Sequence, residues 1–209
     1  FLEREVAPLE DANRELLATD RTIYDERGYF VEEVAALRRT VRMRSAEQGF
    51  YTMFGPEEIG GGGLGPVAAV YLNALLAEAS GPGRVLVHPV VVPSPFTNGL
   101  SPVLTALGED QRARFLPGLA SGEKTLCFAL SEPDAGSDVF GMKSRAVRDG
   151  DDWIITGTKQ WITNGPYADY VMVFAVTDPE LASQRKGGIT GFFVETASAG
   201  FSVASTIPV

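Results

Sequence analysis

Ala120-Ser121-Gly122-Glu123-Lys124-Thr125-Leu126-Cys127-Phe128-Ala129-Leu130-Ser131-Glu132-Pro133 is the stretch on which the chain changes character. Before it, apolar positions recur with helical spacing. From Lys124 onward they come in short runs bounded by Gly, Asp, Asn and Pro, the pattern of strands. The spacing predicts a boundary at Ala120-Ser121-Gly122-Glu123, with an all-α domain over residues 1–121 followed by a β domain over residues 122–209, an α+β architecture.

On the N-terminal side, Leu2, Val6, Leu9, Leu16 and Leu17 approximate one helix face across Phe1 to Leu17, with Pro8 limiting or kinking the first turn. Val31 to Gln48 carries Val34, Leu37 and Val41 between charged residues, and Gly49 follows as a stop. Pro66 to Ala79 is apolar almost all round, which predicts a buried helix opened by Pro66 and closed by Gly81-Pro82-Gly83. Shorter helices are expected over Ser101 to Leu107 and Glu109 to Leu116. The acids of the second lie at its N-terminal end, where they favour the helix dipole.

On the C-terminal side, strands are predicted at Lys124 to Leu130, Lys143 to Arg148, Trp153 to Thr156, Lys159 to Thr163, Tyr170 to Val176, Thr190 to Glu195 and Phe201 to Val203. Arg148-Asp149-Gly150-Asp151-Asp152 reads as a hairpin turn. No long helical stretch interrupts the run, so the expected sheet is antiparallel or barrel-like rather than built from βαβ units.

Composition narrows the chemistry. The 209 residues carry 18 Lys and Arg against 27 Asp and Glu, a formal charge of −9, which disfavours nucleic acid and anionic membranes as partners. A lone cysteine, Cys127, and a lone histidine, His88, leave no ligand cluster for a metal, and no G-x-S-x-G elbow supports serine hydrolysis. No apolar run approaches the roughly 20 residues of a membrane span, and no export signal is visible, so a cytoplasmic location is expected. The chain starts at Phe1 and stops at Val209 inside what reads as a strand, and a longer natural chain is expected.

Three segments are candidates for chemistry. Gly60, Gly62 and Gly65 match G-x-G-x-x-G, but no buried strand precedes them and no second parallel strand follows, so they read as a flexible loop and not as a dinucleotide fingerprint. Ser131-Glu132-Pro133-Asp134-Ala135-Gly136-Ser137-Asp138 follows a strand. It is either an anion-binding nest of backbone amides or a tight loop held by its own Asp and Ser side chains. Gly157-Thr158-Lys159-Gln160-Trp161-Ile162-Thr163-Asn164-Gly165 puts an indole beside a hydroxyl, a pair suited either to covering an aromatic cofactor or to ordinary core packing. Cys127 reads as a small buried hydrophobe and His88 as a structural or surface residue.

In order and separation, Phe128-Ala129-Leu130-Ser131-Glu132-Pro133 with Ala135-Gly136-Ser137-Asp138, and then Gly157 to Gly165 with Ala168-Asp169, resemble the flavin-binding middle domain of the acyl-CoA dehydrogenase family. The helical part is similar too, in Pro56-Glu57-Glu58 with the glycine loop and in Glu109 to Gly122. The resemblance implies FAD as cofactor, an acyl-CoA substrate, α,β-dehydrogenation with hydride transfer to flavin N5, and an electron-transfer flavoprotein as acceptor. It also implies a homodimer or homotetramer and a C-terminal helical bundle, lying beyond this sequence, that carries the catalytic base, so no base is assigned.

By position, Phe128, Leu130 and Ser131 would line the flavin, with Ser131 facing its N1/O2 edge. Trp161 and Ile162 would pack at the isoalloxazine and Thr163 would hydrogen-bond near N5 or O4. Gly136 and Ser137 would sit at the pyrophosphate, with Ser137 also touching the acyl-CoA, and Arg185 and Lys186 would meet a CoA phosphate. Phe128 and Ser131 stand where many relatives have Tyr and Thr, so one hydroxyl is lost and one kept. Glu132 reads as part of its loop's own hydrogen bonding. Within the same fold, an oxidase, a flavin monooxygenase or a degenerate non-catalytic subunit are the alternative readings.

Overall fold

The computed structural model describes residues 1–80, 84–88, 90–94 and 98–206. Two compact units make up the chain, Phe1–Thr125 with Val203–Val209, and Leu126–Ser202. The expected helix stop at Gly81-Pro82-Gly83 and the end of the chain at residues 207–209 fall outside the described residues.

The first unit is helical. A π-helical turn at Leu2–Val6 runs into α1 (Ala7–Ala12), and α2 (Asp20–Ile23) and α3 (Glu32–Glu47) follow. Pro8 sits at the start of α1, where the π-helical turn runs into it, and leaves that junction without one amide donor. The helical character expected to Leu17 gives way to turns after Ala12. Val6 and Val41 meet Leu76, Leu86, Val87 and Val90–Val92 in the core. Ser45, fully buried on α3, donates to the Val91 carbonyl at 2.6 Å and so fixes that apolar segment against the helix.

Two expectations change here. Helix α4 (Pro66–Ser80) forms where predicted, but it is not buried all round: Leu76 enters the core, whereas Val67 is 85% and Val70 73% exposed. A helix without a polar face needs cover on every side, and this unit supplies it on one. The glycine loop is packed rather than loose. Gly61, Gly62, Gly63 and Leu64 donate their amides to the Pro56, Thr52, Gly55 and Met53 carbonyls, and a Cβ on Gly61 would run into the Gly55 backbone. The glycines permit close backbone approach, not a phosphate cradle. A short 3₁₀ turn (Pro102–Ala106) and α5 (Glu109–Ala120) complete the unit, with Gln111 Oε1 accepting from the Gly108 amide at the helix start.

The second unit is a mixed sheet of β1 (Leu126–Ala129), β2 (Arg145–Asp149), β3 (Asp152–Thr156), β4 (Tyr170–Val176) and β5 (Ile189–Glu195), with the short α6 (Pro179–Ser183) between the last two. Tyr170-Val171-Met172-Val173-Phe174-Ala175-Val176 is an apolar run with no polar alternation, as befits the central strand. One edge of β4 pairs along its whole length with β5, antiparallel. The other takes β1 at Tyr170–Val173 and touches β2 at Val176, both parallel, and β2 and β3 form the expected hairpin.

The α+β class is as expected, but the sheet is neither purely antiparallel nor, among the described residues, closed. The reason lies in the β1-to-β4 connection. Parallel neighbours need a crossover of about a dozen residues or more, usually a helix. Here the β2–β3 hairpin and its two flanking loops supply that length. Lys159–Thr163 and Phe201–Val203, expected as strands, are irregular.

Gly157 ends β3 against Ser144. A Cβ there would run into the Ser144 side chain and lie 2.8 Å from its Cα. Gly157→Ala is expected to destabilise the protein by about 1–3 kcal/mol through overpacking, read as a lowered urea midpoint.

Candidate functional site

Two loops leave the sheet side by side: residues 130–144 from the end of β1 and residues 157–169 between β3 and β4. The Glu132 side chain joins them. Its carboxylate accepts from the amides of Lys143 at 2.6 Å and Ser144 at 3.1 Å, on the first loop, and from Lys159 Nζ at 2.7 Å, on the second. Lys159 Nζ also donates to the Leu130 carbonyl at 3.1 Å, and the neighbouring Gln160 amide donates to the Ser131 carbonyl at 3.0 Å. The Glu132 and Lys159 side chains are only 4% and 10% exposed. The two segments singled out in the sequence are therefore one structural unit.

Burial alone would raise the Glu132 carboxyl's pKa, but hydrogen bonds from Lys159, Ser144 and Lys143 outweigh it and hold the group down at about 2. Burial pulls Lys159 below the ordinary lysine value, against the opposing pull of Glu132. A carboxylate so engaged is no proton acceptor at neutral pH. Glu132 therefore belongs to the scaffold of the loop, in agreement with its reading from sequence.

The same loop closes on itself through paired Glu132 and Ala135 backbones, with N···O distances of 2.8 and 3.2 Å. Asp134 pairs with Lys143, and Asp138 accepts from the Phe140 amide at 3.2 Å. These bonds are of the kind that the tight-loop reading of Ser131–Asp138 expects. Gly136 and Ser137 lie exposed on it, and a Cβ added at Gly136 would meet nothing within 4 Å.

The second loop turns on two left-handed residues, Trp161 at φ 61° and Asn164 at φ 67°. Asparagine tolerates that region and donates through Nδ2 to the Leu126 carbonyl at 3.2 Å. For tryptophan it is an outlier, of the kind that persists where the surroundings enforce it. Ile162 turns inward onto Cys127, Ala129, Ala168 and Val171, while Trp161, 69% exposed, and Thr163 face outward. Trp161 is not packed in the core of this unit. Its indole is an uncovered apolar plane beside an exposed hydroxyl, held by a buried ion pair two residues earlier in the chain.

The remaining residues fall around these loops. Phe128 is half-buried on β1 against Phe174, ring centroids 4.8 Å apart, and Leu130 packs with Met142, Val176 and Ala182. Ser131 is half-buried. Arg185 pairs with Asp138 at 2.5 Å and lies over the Phe140 ring, while Lys186 donates to Gln184 at 3.0 Å. Cys127 is buried, and burial pushes its thiol up to about 12, the inert hydrophobe expected of it. His88 is exposed. Among the described residues no group of His, Cys, Asp or Glu could hold a metal, and no helix is long and apolar enough to cross a membrane. Sequence reasoning missed the part played by Lys159, whose burial has no signature in a segment otherwise read as a strand.

The family model for the acyl-CoA dehydrogenase N-terminal domain matches residues 1–123, and that for the acyl-CoA dehydrogenase middle domain matches residues 127–208. The chain is 37% identical over 180 residues to the probable acyl-CoA dehydrogenase fadE25 of Mycobacterium leprae, a match covering 86% of this chain and 42% of that protein. Among solved structures it is similar to a glutaryl-CoA dehydrogenase from Mycobacterium smegmatis in complex with FADH2, at 32% identity and a TM-score of 0.59, over 91% of this chain and 47% of that one. An acyl-CoA dehydrogenase from Geobacillus kaustophilus gives 27% identity and a TM-score of 0.60, over 94% and 49%. The chain spans less than half the length of each of these three.

Proposed function

The chain belongs to the acyl-CoA dehydrogenase family, and from that premise we propose that it supplies the helical domain (residues 1–121) and the flavin-binding β domain (residues 122–209) of an FAD-dependent enzyme that dehydrogenates an acyl-CoA thioester between its α and β carbons. The observation that carries the proposal is Trp161: an exposed indole in a left-handed conformation, on a loop joined by buried hydrogen bonds to the Ser131–Asp138 segment. An isoalloxazine needs such an apolar plane and hydrogen-bond donors at its edge, and the residues present fit that need.

Bound FAD would supply a two-electron acceptor for the β-hydrogen, with the α-proton going to the base that the family resemblance places beyond these residues. The chain's own residues bind and orient. Trp161 would cover the ring system, with Ile162 anchoring that part of the site in the core beneath it, and Thr163 would offer a hydroxyl to its N5/O4 edge. Phe128 and Leu130 give apolar contact from the end of β1, and Ser131 donates toward N1/O2, where negative charge accumulates. Gly136 and Ser137 take the pyrophosphate, with Ser137 also reaching the acyl-CoA. Electrons leave to an electron-transfer flavoprotein, and the protein works as a homodimer or homotetramer, as the family resemblance implies.

The test is anaerobic addition of acyl-CoA to the FAD-loaded full-length protein. The flavin's visible bands are expected to bleach as an enoyl-CoA appears. Stable bands in the presence of a range of acyl-CoA esters would refute the proposal. Ser131→Ala is expected to lower the flavin's reduction potential. A hydrogen bond to a charged group is worth about 1.5–3 kcal/mol, or roughly 30–60 mV for a two-electron couple, measured by equilibration with a reference dye.

A further inference from the structure

We propose that the Glu132–Lys159 ion pair is a latch that registers the two cofactor-facing loops against each other, making Glu132 and Lys159 positioning residues for the flavin edge. The inference rests on the flavin reading above and deepens it. Both side chains are buried, so each acts through its neighbours. Glu132 follows Ser131 directly, and Lys159 stands two residues before Trp161.

Lys159 Nζ bridges the Leu130 carbonyl and the Glu132 side-chain Oε1, so one ammonium ties the backbone before Ser131 to the carboxylate of the residue after it. The Gln160 amide takes the Ser131 carbonyl itself. Glu132 is in turn fixed by the Lys143 and Ser144 amides at the entry to β2. The separation between Ser131 and Trp161 is therefore set by buried, directional bonds rather than by packing of the exposed indole. Two loops without such a bond would each be free to drift by about an ångström, enough to misalign a stacked ring and its edge donors.

A buried charge left alone destabilises, so single variants confound folding with registration. The decisive variant is the double one, Glu132→Gln with Lys159→Met, which removes both charges at similar volume. In the full-length protein three quantities are read: hydrogen exchange at the Gln160 amide in the absence of FAD, the FAD dissociation constant, and the visible spectrum of bound flavin. The latch predicts at least about tenfold faster Gln160 exchange, about tenfold weaker FAD binding and a shifted spectrum, with Lys159→Arg close to the parent in all three. Parent-like Gln160 exchange in the double variant overturns the proposal, even if the melting temperature falls. So does an unchanged affinity and spectrum in a parent that binds FAD. Should the parent bind no FAD while Gln160 loses protection in the double variant, the flavin reading fails and the registration of the loops stands.

Discussion

Trp161→Ala is expected to weaken FAD binding at least about tenfold and to perturb the spectrum of whatever flavin remains, while the melting temperature of the apoprotein stays within about 1–2 °C of the parent. The two halves of this expectation come from one number. At 69% exposed, the indole contributes little to the fold, and surface substitutions away from caps and buried partners cost about 0.5 kcal/mol or less. Covering an aromatic ligand, the same indole would bury well over 50 Å² of apolar surface at about 25 cal/mol/Å², plus about 0.5–1.5 kcal/mol from ring stacking. That sum exceeds the 1.4 kcal/mol that corresponds to a tenfold change. A core tryptophan would behave in the opposite way, with a large loss of stability and no specific effect on flavin. Apo- and holoprotein melting curves together with an FAD titration separate the cases.

The second large effect is on stability. Glu132→Ala leaves the buried Lys159 ammonium with the Leu130 carbonyl alone and takes the carboxylate from the Lys143 and Ser144 amides, at a cost of about 3–5 kcal/mol, or a drop of roughly 6–20 °C in melting temperature for a chain of this size. The same group sets an acid limit. Its pKa is lowered from an ordinary 4.5 to about 2 in the folded protein, so its contribution is present in full above pH 4.5 and is lost progressively as the pH falls toward 2. Urea midpoints measured across that window should fall steeply in the parent and less so in Glu132→Gln, which has no carboxyl to protonate. Parallel slopes for the two proteins would assign the acid sensitivity to other groups.

The change from helical to strand spacing at Lys124 was legible because it rests on periodicity, which local residues express directly. So were β4 and the β2–β3 hairpin, an unbroken apolar run and a glycine-centred turn. The loop at Lys159–Thr163 was not. Its residues have strand propensity, while the bonds that Lys159 and Gln160 make go to residues 130–132, far away in the sequence, and Trp161 turns left-handed directly after them. Parallel pairing of β1 with β4 was hidden for a related reason, since a hairpin can serve as the crossover that is usually a helix. The exposed face of α4 shows the limit of composition: an all-apolar helix announces that it needs cover, not which part of the protein supplies it. At the site, residue types and order pointed to both loops, whereas Lys159 became visible as their link only once its ammonium was seen between Leu130 and Glu132.

If these two loops form a flavin site, titration of the full-length apoprotein with FAD will show it. Saturable binding of one FAD per chain is expected, with the flavin's visible bands shifted from those of the free cofactor and tryptophan fluorescence quenched through Trp161. FAD that stays spectroscopically free and passes through a desalting column apart from the protein would contradict it.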